Sequence, residues 1–166
     1  MKTTAFFTRM LSWLTGSRLT VDNSVVRELD LDRFLGSWYE VARFDHFFER
    51  GMSQTKANYV LRDDGNIDVI NTGIKDGRPK TAKGRAKLTD IPSLLRVSFF
   101  GPFYSDYRVM LVDADYRYML IGSGSDGYLW ILSRTPQLAD TDRTTILSEA
   151  KSRGYDIDKL IWVKQN

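Results

Sequence analysis

One histidine, His46, and no cysteine stand among 166 residues, which excludes thiol nucleophiles, disulfides and His-rich zinc sites. Acid–base chemistry would have to come from carboxylates or tyrosines, and among these Glu40 has the most unusual setting. From Gly36 to Asp45 the side chains of Trp38, Glu40, Ala42 and Phe44 share one face of an extended strand, and Tyr39, Val41, Arg43 and Asp45 share the other. A carboxylate pointing inward beside Trp38 is costly unless it is paired or protonated. Glu40 is therefore expected to meet an inward polar partner or to keep its proton, and it reads as a structural hydrogen bond rather than a catalytic acid. No spacing in the chain matches a nucleophile triad, a metal-ligand cluster or a phosphate-binding loop. The expectation is a protein that binds rather than an enzyme, with no cofactor.

The elements that must position these residues are strands. Turn chemistry recurs in Asp63-Asp64-Gly65-Asn66, Lys75-Asp76-Gly77-Arg78-Pro79, Asp90-Ile91-Pro92-Ser93, Asp113-Ala114-Asp115 and Gly124-Ser125-Asp126-Gly127. Between these turns lie Gln54 to Leu61, Asn66 to Gly73, Lys80 to Thr89, Leu94 to Phe100, Asp106 to Val112, Tyr116 to Ser123 and Tyr128 to Ser133. With the first run they make eight strands in an antiparallel meander. An open sheet of that size needs a cover on its apolar face, and only one good helix remains to supply it. Closure into an all-β, eight-stranded up-and-down β-barrel is the economical answer. The helix is capped at Asp140 or Thr141, sets Ile146, Leu147 and Ala150 on one face and stops at Gly154. Leu160 to Val163 then returns to the barrel as a short final strand.

The chain is 42% apolar and 13% aromatic, enough for one real core. Residues 30–166 form the barrel domain and 1–29 an N-terminal segment. Lys and Arg number 24 against 21 Asp and Glu, a net charge of +3, and the basic residues are scattered, so nucleic acid is not an expected partner. From Met1 to Thr20, Phe6, Phe7, Met10, Leu11 and Leu14 share a face at helical spacing. This reads as a short amphipathic helix lying on a membrane or packed on the protein body, or as a frayed terminus, and it is too short to span a bilayer. Arg9 and the neighbouring Thr and Ser residues interrupt the apolar run that a standard signal peptide requires.

Gly36-Ser37-Trp38-Tyr39-Glu40-Val41-Ala42-Arg43 resembles the Gly-x-Trp signature with which lipocalins open their first strand. Phe44-Asp45-His46-Phe47-Phe48-Glu49-Arg50-Gly51 is similar to the bacterial lipocalins related to apolipoprotein D. So are Val97-Ser98-Phe99-Phe100-Gly101-Pro102-Phe103-Tyr104 and Tyr128-Leu129-Trp130-Ile131-Leu132-Ser133-Arg134-Thr135-Pro136. The middle motif of the family, Thr-Asp-Tyr, is met only loosely by Asp113 to Tyr118, which leaves the geometry of that turn open. The resemblance implies that Trp38 enters at the closed end of the barrel with the Arg134 guanidinium over its indole, a cation–π pair worth about 0.5–2 kcal/mol. Glu40 would then lie near the barrel floor.

Carrying the alternation inward from Trp38 and Arg134 gives the candidate ligand contacts: Ala42, Phe44, Ala57, Tyr59, Val69, Asn71, Ala86, Val97, Phe99, Tyr107, Val109, Met119, Ile121, Tyr128 and Trp130. Small inward residues, among them Ala82 and Gly84, leave room for a chain-like ligand, and Tyr59, Asn71, Tyr107 and Tyr128 offer hydrogen bonds to its head. The resemblance implies storage or transport of a fatty acid or lysophospholipid for membrane maintenance, with a homodimer and peripheral membrane contact as further partners. Residues 45–53, with Phe47, Phe48 and Met52, would form the long loop at the open end, closing over the mouth, dipping into a membrane surface or packing to hold the first strand. Two alternatives stay open: an enzyme of this fold using Glu40, His46 or a tyrosine on a hydrophobic substrate, and a pigment or haem carrier. Bacterial relatives are commonly exported to the outer membrane through an N-terminal cysteine. This chain has none, so the cell envelope and the cytoplasm both stand as compartments.

Overall fold

The computed structural model describes residues 19–166, so the helix expected within Met1 to Thr20 lies almost wholly outside the described residues. A one-turn helix α1 (Leu31–Phe34) leads into strands β1 (Gly36–Phe44), β2 (Ser53–Leu61), β3 (Ile67–Lys75), β4 (Arg78–Lys87), β5 (Leu94–Phe100), β6 (Phe103–Val112), β7 (Tyr118–Gly122) and β8 (Leu129–Ser133). Helix α2 (Asp140–Ser152) and strand β9 (Leu160–Trp162) follow. Each of β1 to β8 pairs antiparallel with its sequence neighbour, and β1 pairs with both β2 and β8, so the sheet closes into the expected eight-stranded barrel. Strand β9 adds to the second half of β1, setting Ala42 opposite Trp162 and Phe44 opposite Leu160.

Local chemistry explains the corners. In the β3–β4 hairpin both central residues, Asp76 and Gly77, have positive φ, the conformation that matches the twist of the flanking strands and that Asp-Gly adopts readily. Gly36, at φ +94°, turns the chain from α1 into β1, a conformation that burdens any residue with a Cβ. The loosely matched turn at Asp113 is well formed: its carboxylate accepts the backbone N–H groups of Asp115 and Arg117 at 3.1 and 3.2 Å. Two expectations need correction. Helix α2 is capped by Ala139, without a side-chain bond, and not by Asp140 or Thr141, which lie inside the first turn. The polar stretch before β1 also contains α1, capped by the Asp30 carboxylate.

Apolar residues divide between two cores. Inside the closed end, Phe34, Trp38, Ile67, Ala86, Leu95, Val109 and Met119 are wholly or almost wholly buried together. Outside the barrel wall, Val41, Ala42, Phe44, Met110, Leu120, Leu129 and Ile131 pack beneath Ile146 and Ala150 of α2, with Tyr155 and Leu160. Each large aliphatic residue so buried contributes roughly 1.5–3 kcal/mol.

This second core overturns one inference from strand alternation. The β1–β8 register shifts between Glu40 and Ala42, so that Glu40 faces Leu132, Ala42 faces Ile131 and Arg43 faces Trp130. The extra residue of the bulge reverses every side chain beyond it. Ala42 and Phe44 therefore point out of the barrel into the helix-covered core, and Arg43 points in.

Candidate functional site

The closed end of the barrel is built shut. Arg134 holds its guanidinium 3.6 Å from the Trp38 ring centre and donates to the carbonyls of Ser37 and Leu35 at 2.8 and 3.0 Å. The Trp38 indole N–H donates to the Phe34 carbonyl at 2.8 Å. Phe34 from α1 then packs against Tyr59, with tilted rings whose centres are 4.7 Å apart. Of the candidate contacts, Ala86, Val109 and Met119 lie in this filled floor and line neither of the two chambers above it.

Above the floor two chambers follow one another. The inner one, about 80 Å³, is lined by Ala57, Tyr59, Val69, Val97, Asp106, Tyr107, Ile121, Trp130 and Leu132, and the Asp106 carboxylate is paired with Arg108 at 3.0 Å. The outer one, about 520 Å³, opens at the far end between the β1–β2 loop, β3, β4 and Phe100, within the ~300–1,000 Å³ of small-molecule sites. Glu40, Phe48, Glu49, Asn71 and Phe99 border both chambers and form the neck. Nine of the candidate contacts thus surround open space: Ala57, Tyr59, Val69, Asn71, Val97, Phe99, Tyr107, Ile121 and Trp130. Tyr128 stands outside the lining, stacked on Trp130 and on Phe48 at ring distances of 5.8 and 6.2 Å.

Polar groups concentrate at the neck. Arg43 donates to Glu40 Oε1 at 3.0 Å and to the loop carbonyls of Glu49 and Met52 at 2.8 and 3.3 Å, and its Nε lies 3.6 Å from Glu49 Oε2. His46 Nε2 is 2.9 Å from the same oxygen. Burial drives the Glu40 carboxyl well above the ordinary carboxylate range, with the charge of Glu49 pushing the same way and Arg43 opposing. Burial also acts on Glu49, but contact with His46 and Arg43 outweighs it and holds Glu49 below its ordinary value. The two carboxyls thus divide into a proton-retaining Glu40 and an ionised Glu49. Deeper in, the Tyr59 and Tyr107 hydroxyls meet at 2.8 Å, and burial raises both phenols, so they stay neutral. Asn71 Oδ1 and Thr55 Oγ1 are buried at the chamber walls without a hydrogen-bond partner, open acceptors for a guest.

Glu40 had an inward partner to be found, as its burial demanded, but that partner, Arg43, was assigned to the wrong face by unbroken alternation. Glu49 is expected at the mouth only as part of the 45–53 loop, and Thr55, Lys75 and Lys80 are not among the expected contacts. They reach the cavity from the loop and from strand ends beyond the apolar run, where no periodicity marks them. Among the described residues no group of three or more metal-type side chains is arranged to hold an ion. His46 packs against Phe48, Tyr128 and Trp130 and lines neither chamber.

Known proteins resemble this chain in sequence and in fold. Residues 29–165 match the model of a lipocalin-like domain. The chain is 49% identical over 146 residues to outer membrane lipoprotein Blc of Citrobacter freundii, covering 86% of this chain and 82% of that one. It is 41% identical to the Blc of Vibrio cholerae over 168 residues, covering 97% and 98%. Mouse apolipoprotein D is 32% identical, with 85% and 79% covered. Lobster apocrustacyanin A1 superposes with a TM-score of 0.71 at 20% identity, over 92% of this chain and 91% of that chain, and shares the fold. On the match over residues 29–165 and the identity to the bacterial relatives, the chain belongs to the lipocalin family.

Proposed function

We propose that this lipocalin carries a single-chain lipid, a fatty acid or a lysophospholipid, tail inward through the neck and head toward the open end, and that it holds its guest without transforming it. The observation that carries this reading is the shape and chemistry of the cavity: two chambers whose surface is mostly apolar, with polar groups at the neck and outer rim, closed at one end by Phe34 and Trp38 and narrowing inward from about 520 to about 80 Å³. Burial of a sixteen-carbon chain releases on the order of 10 kcal/mol at ~0.8 kcal/mol per methylene, before ordering costs. The carboxyls at the neck support a holding role because they are committed to Arg43, His46 and each other. A general acid or base needs a free edge toward its substrate.

Native mass spectrometry of the purified protein, followed by displacement of a fluorescent fatty acid with lysophospholipid and with free fatty acid, tests the reading. Trp130→Ala removes a wall of the inner chamber and is expected to weaken both competitors. A protein that binds no acyl chain overturns the proposal, as does turnover of the bound lipid.

A further inference from the structure

The open end of the barrel carries an exposed aromatic tip beside an unpaired cationic rim. Phe100 and Phe103 face each other across the β5–β6 turn and are 57% and 50% exposed, the two highest values among the described large hydrophobic residues. Phe48, at the same end, is 41% exposed and packs its ring on His46 at 3.8 Å and on Tyr128. Next to this tip, Lys75 lies directly opposite Arg78 and Lys80 opposite Gly73 in the β3–β4 hairpin, so all three cations belong to the face that borders the mouth. Like charges directly opposite each other weaken a hairpin, and only Asp76 offsets them locally.

Two arginines in closed-end turns are paired with carboxylates, Arg62 with Asp64 and Asp68 and Arg117 with Asp113 and Asp142, and in the open-end loop Arg50 is paired with Asp45. Among the described residues, no carboxylate pairs with Lys75, Arg78 or Lys80. An aromatic tip that sheds water into an acyl layer, flanked by cations at headgroup height, complements an anionic lipid surface. Neither feature serves the packing of the barrel.

We propose that the protein docks mouth-down on anionic phospholipid bilayers, with Phe100 and Phe103 entering the interface and Lys75, Arg78 and Lys80 meeting lipid phosphates. The docking surface lies at the tip and rim and shares Lys75, Lys80 and Phe100 with the wall of the outer chamber, so vesicle binding is measured with and without added fatty acid. Each cation near such a surface is worth about fivefold in partitioning, and the attraction fades with salt as the Debye length shrinks below about 8 Å.

The chain has no cysteine, so a single Phe103→Cys site can carry an environment-sensitive fluorophore, with Asp64→Cys at the opposite end as control. The full chain is mixed with vesicles of phosphatidylglycerol and phosphatidylcholine, or of phosphatidylcholine alone. Emission is expected to rise at position 103 and not at 64, with the phosphatidylglycerol vesicles only. In a parallel sedimentation assay, Lys75→Glu/Arg78→Glu/Lys80→Glu is expected to lose at least 100-fold in partitioning and Phe100→Ser/Phe103→Ser at least tenfold, with thermal unfolding confirming that each variant folds. The proposal is overturned if the chain ignores anionic vesicles, or if it binds them with position 103 silent and the variants unimpaired. A rise at 103 that follows protein concentration without vesicles also overturns it, marking a protein contact instead. Fatty-acid displacement without vesicles is scored separately, so a failure to dock and a failure to carry lipid are told apart.

Discussion

Arg43 Nη1 donates to Glu40 Oε1 at 3.0 Å, although residues three apart on an unbroken strand point to opposite faces. The bulge between Glu40 and Ala42 turns both inward. Burial, reinforced by the charge of Glu49, keeps the Glu40 carboxyl protonated well above its ordinary 4.5. In the unfolded chain the same group ionises near that value, so unfolding releases a proton. Stability therefore falls as pH rises from the unfolded value toward the raised one. Glu40→Gln keeps an acceptor for Arg43 and a donor for Glu49 while removing the titration. Urea unfolding at about pH 5 and about pH 8 is expected to show the parent losing stability across this interval and the variant losing less. Glu49 acts in the opposite sense, its stabilising contribution fading only as pH falls through its depressed value. Equal slopes for parent and Glu40→Gln would mean that Glu40 is ionised in the fold.

The Arg43 fork also ties down the β1–β2 loop through the Glu49 and Met52 carbonyls. Arg43→Met leaves Glu49 with His46 alone and frees both carbonyls, at a cost of about 3–5 kcal/mol. Arg43→Lys is expected to restore little, because a single ammonium cannot reach the same acceptors from one planar group. Chemical unfolding gives the stability, and amide exchange over residues 45–52 shows whether the loss is local to the loop.

Much of the fold is legible in the sequence because its physics is local. Asp76-Gly77 demands a tight hairpin, and the alternation of Ala57 with Tyr59 or Val97 with Phe99 marks an inward face. The sealing of the floor by Trp38 and Arg134 followed from the family resemblance and the direction of the last strand. Alternation fails at Val41, where both sides of β1 are buried, one by the barrel and the other by α2 and β9. With no polar face to betray a slip, the bulge leaves no trace in the pattern, and Ala42, Arg43 and Phe44 are misassigned together. The neck is hidden for another reason. Glu49 and His46 sit in a loop, where side-chain direction is set by tertiary contact with Arg43 and Trp130 and not by any period.

The floor depends on Arg134 for more than charge. Arg134→Met keeps the stem but loses the stacking on Trp38 at 3.6 Å and the bonds to Ser37 and Leu35. A loss of about 2–4 kcal/mol is expected from the cation–π contact together with the unpaired carbonyls. Phe34→Ala should cost about 3–5 kcal/mol and open the inner chamber downward. Both losses are measurable by urea unfolding, and neither is expected at an exposed pair such as Arg50 and Asp45, where replacement costs about 0–1 kcal/mol.

The inner chamber should act as a ruler for acyl length. Ala57 faces inward opposite Trp38 and Asn71 and borders the chamber of about 80 Å³. Ala57→Leu places a larger side chain in that space and excludes the last part of a tail seated there, while the outer chamber is untouched. At ~0.8 kcal/mol per methylene, each excluded carbon costs about fourfold in affinity. A series of fatty acids titrated against the fluorescent probe is expected to show long chains weakened in the variant and short ones unchanged, moving the optimum down by about two or three carbons. Equal weakening at every length would indicate a general loss of packing. An unchanged profile would place the tail elsewhere and leave the inner chamber as an unfilled gap above Phe34.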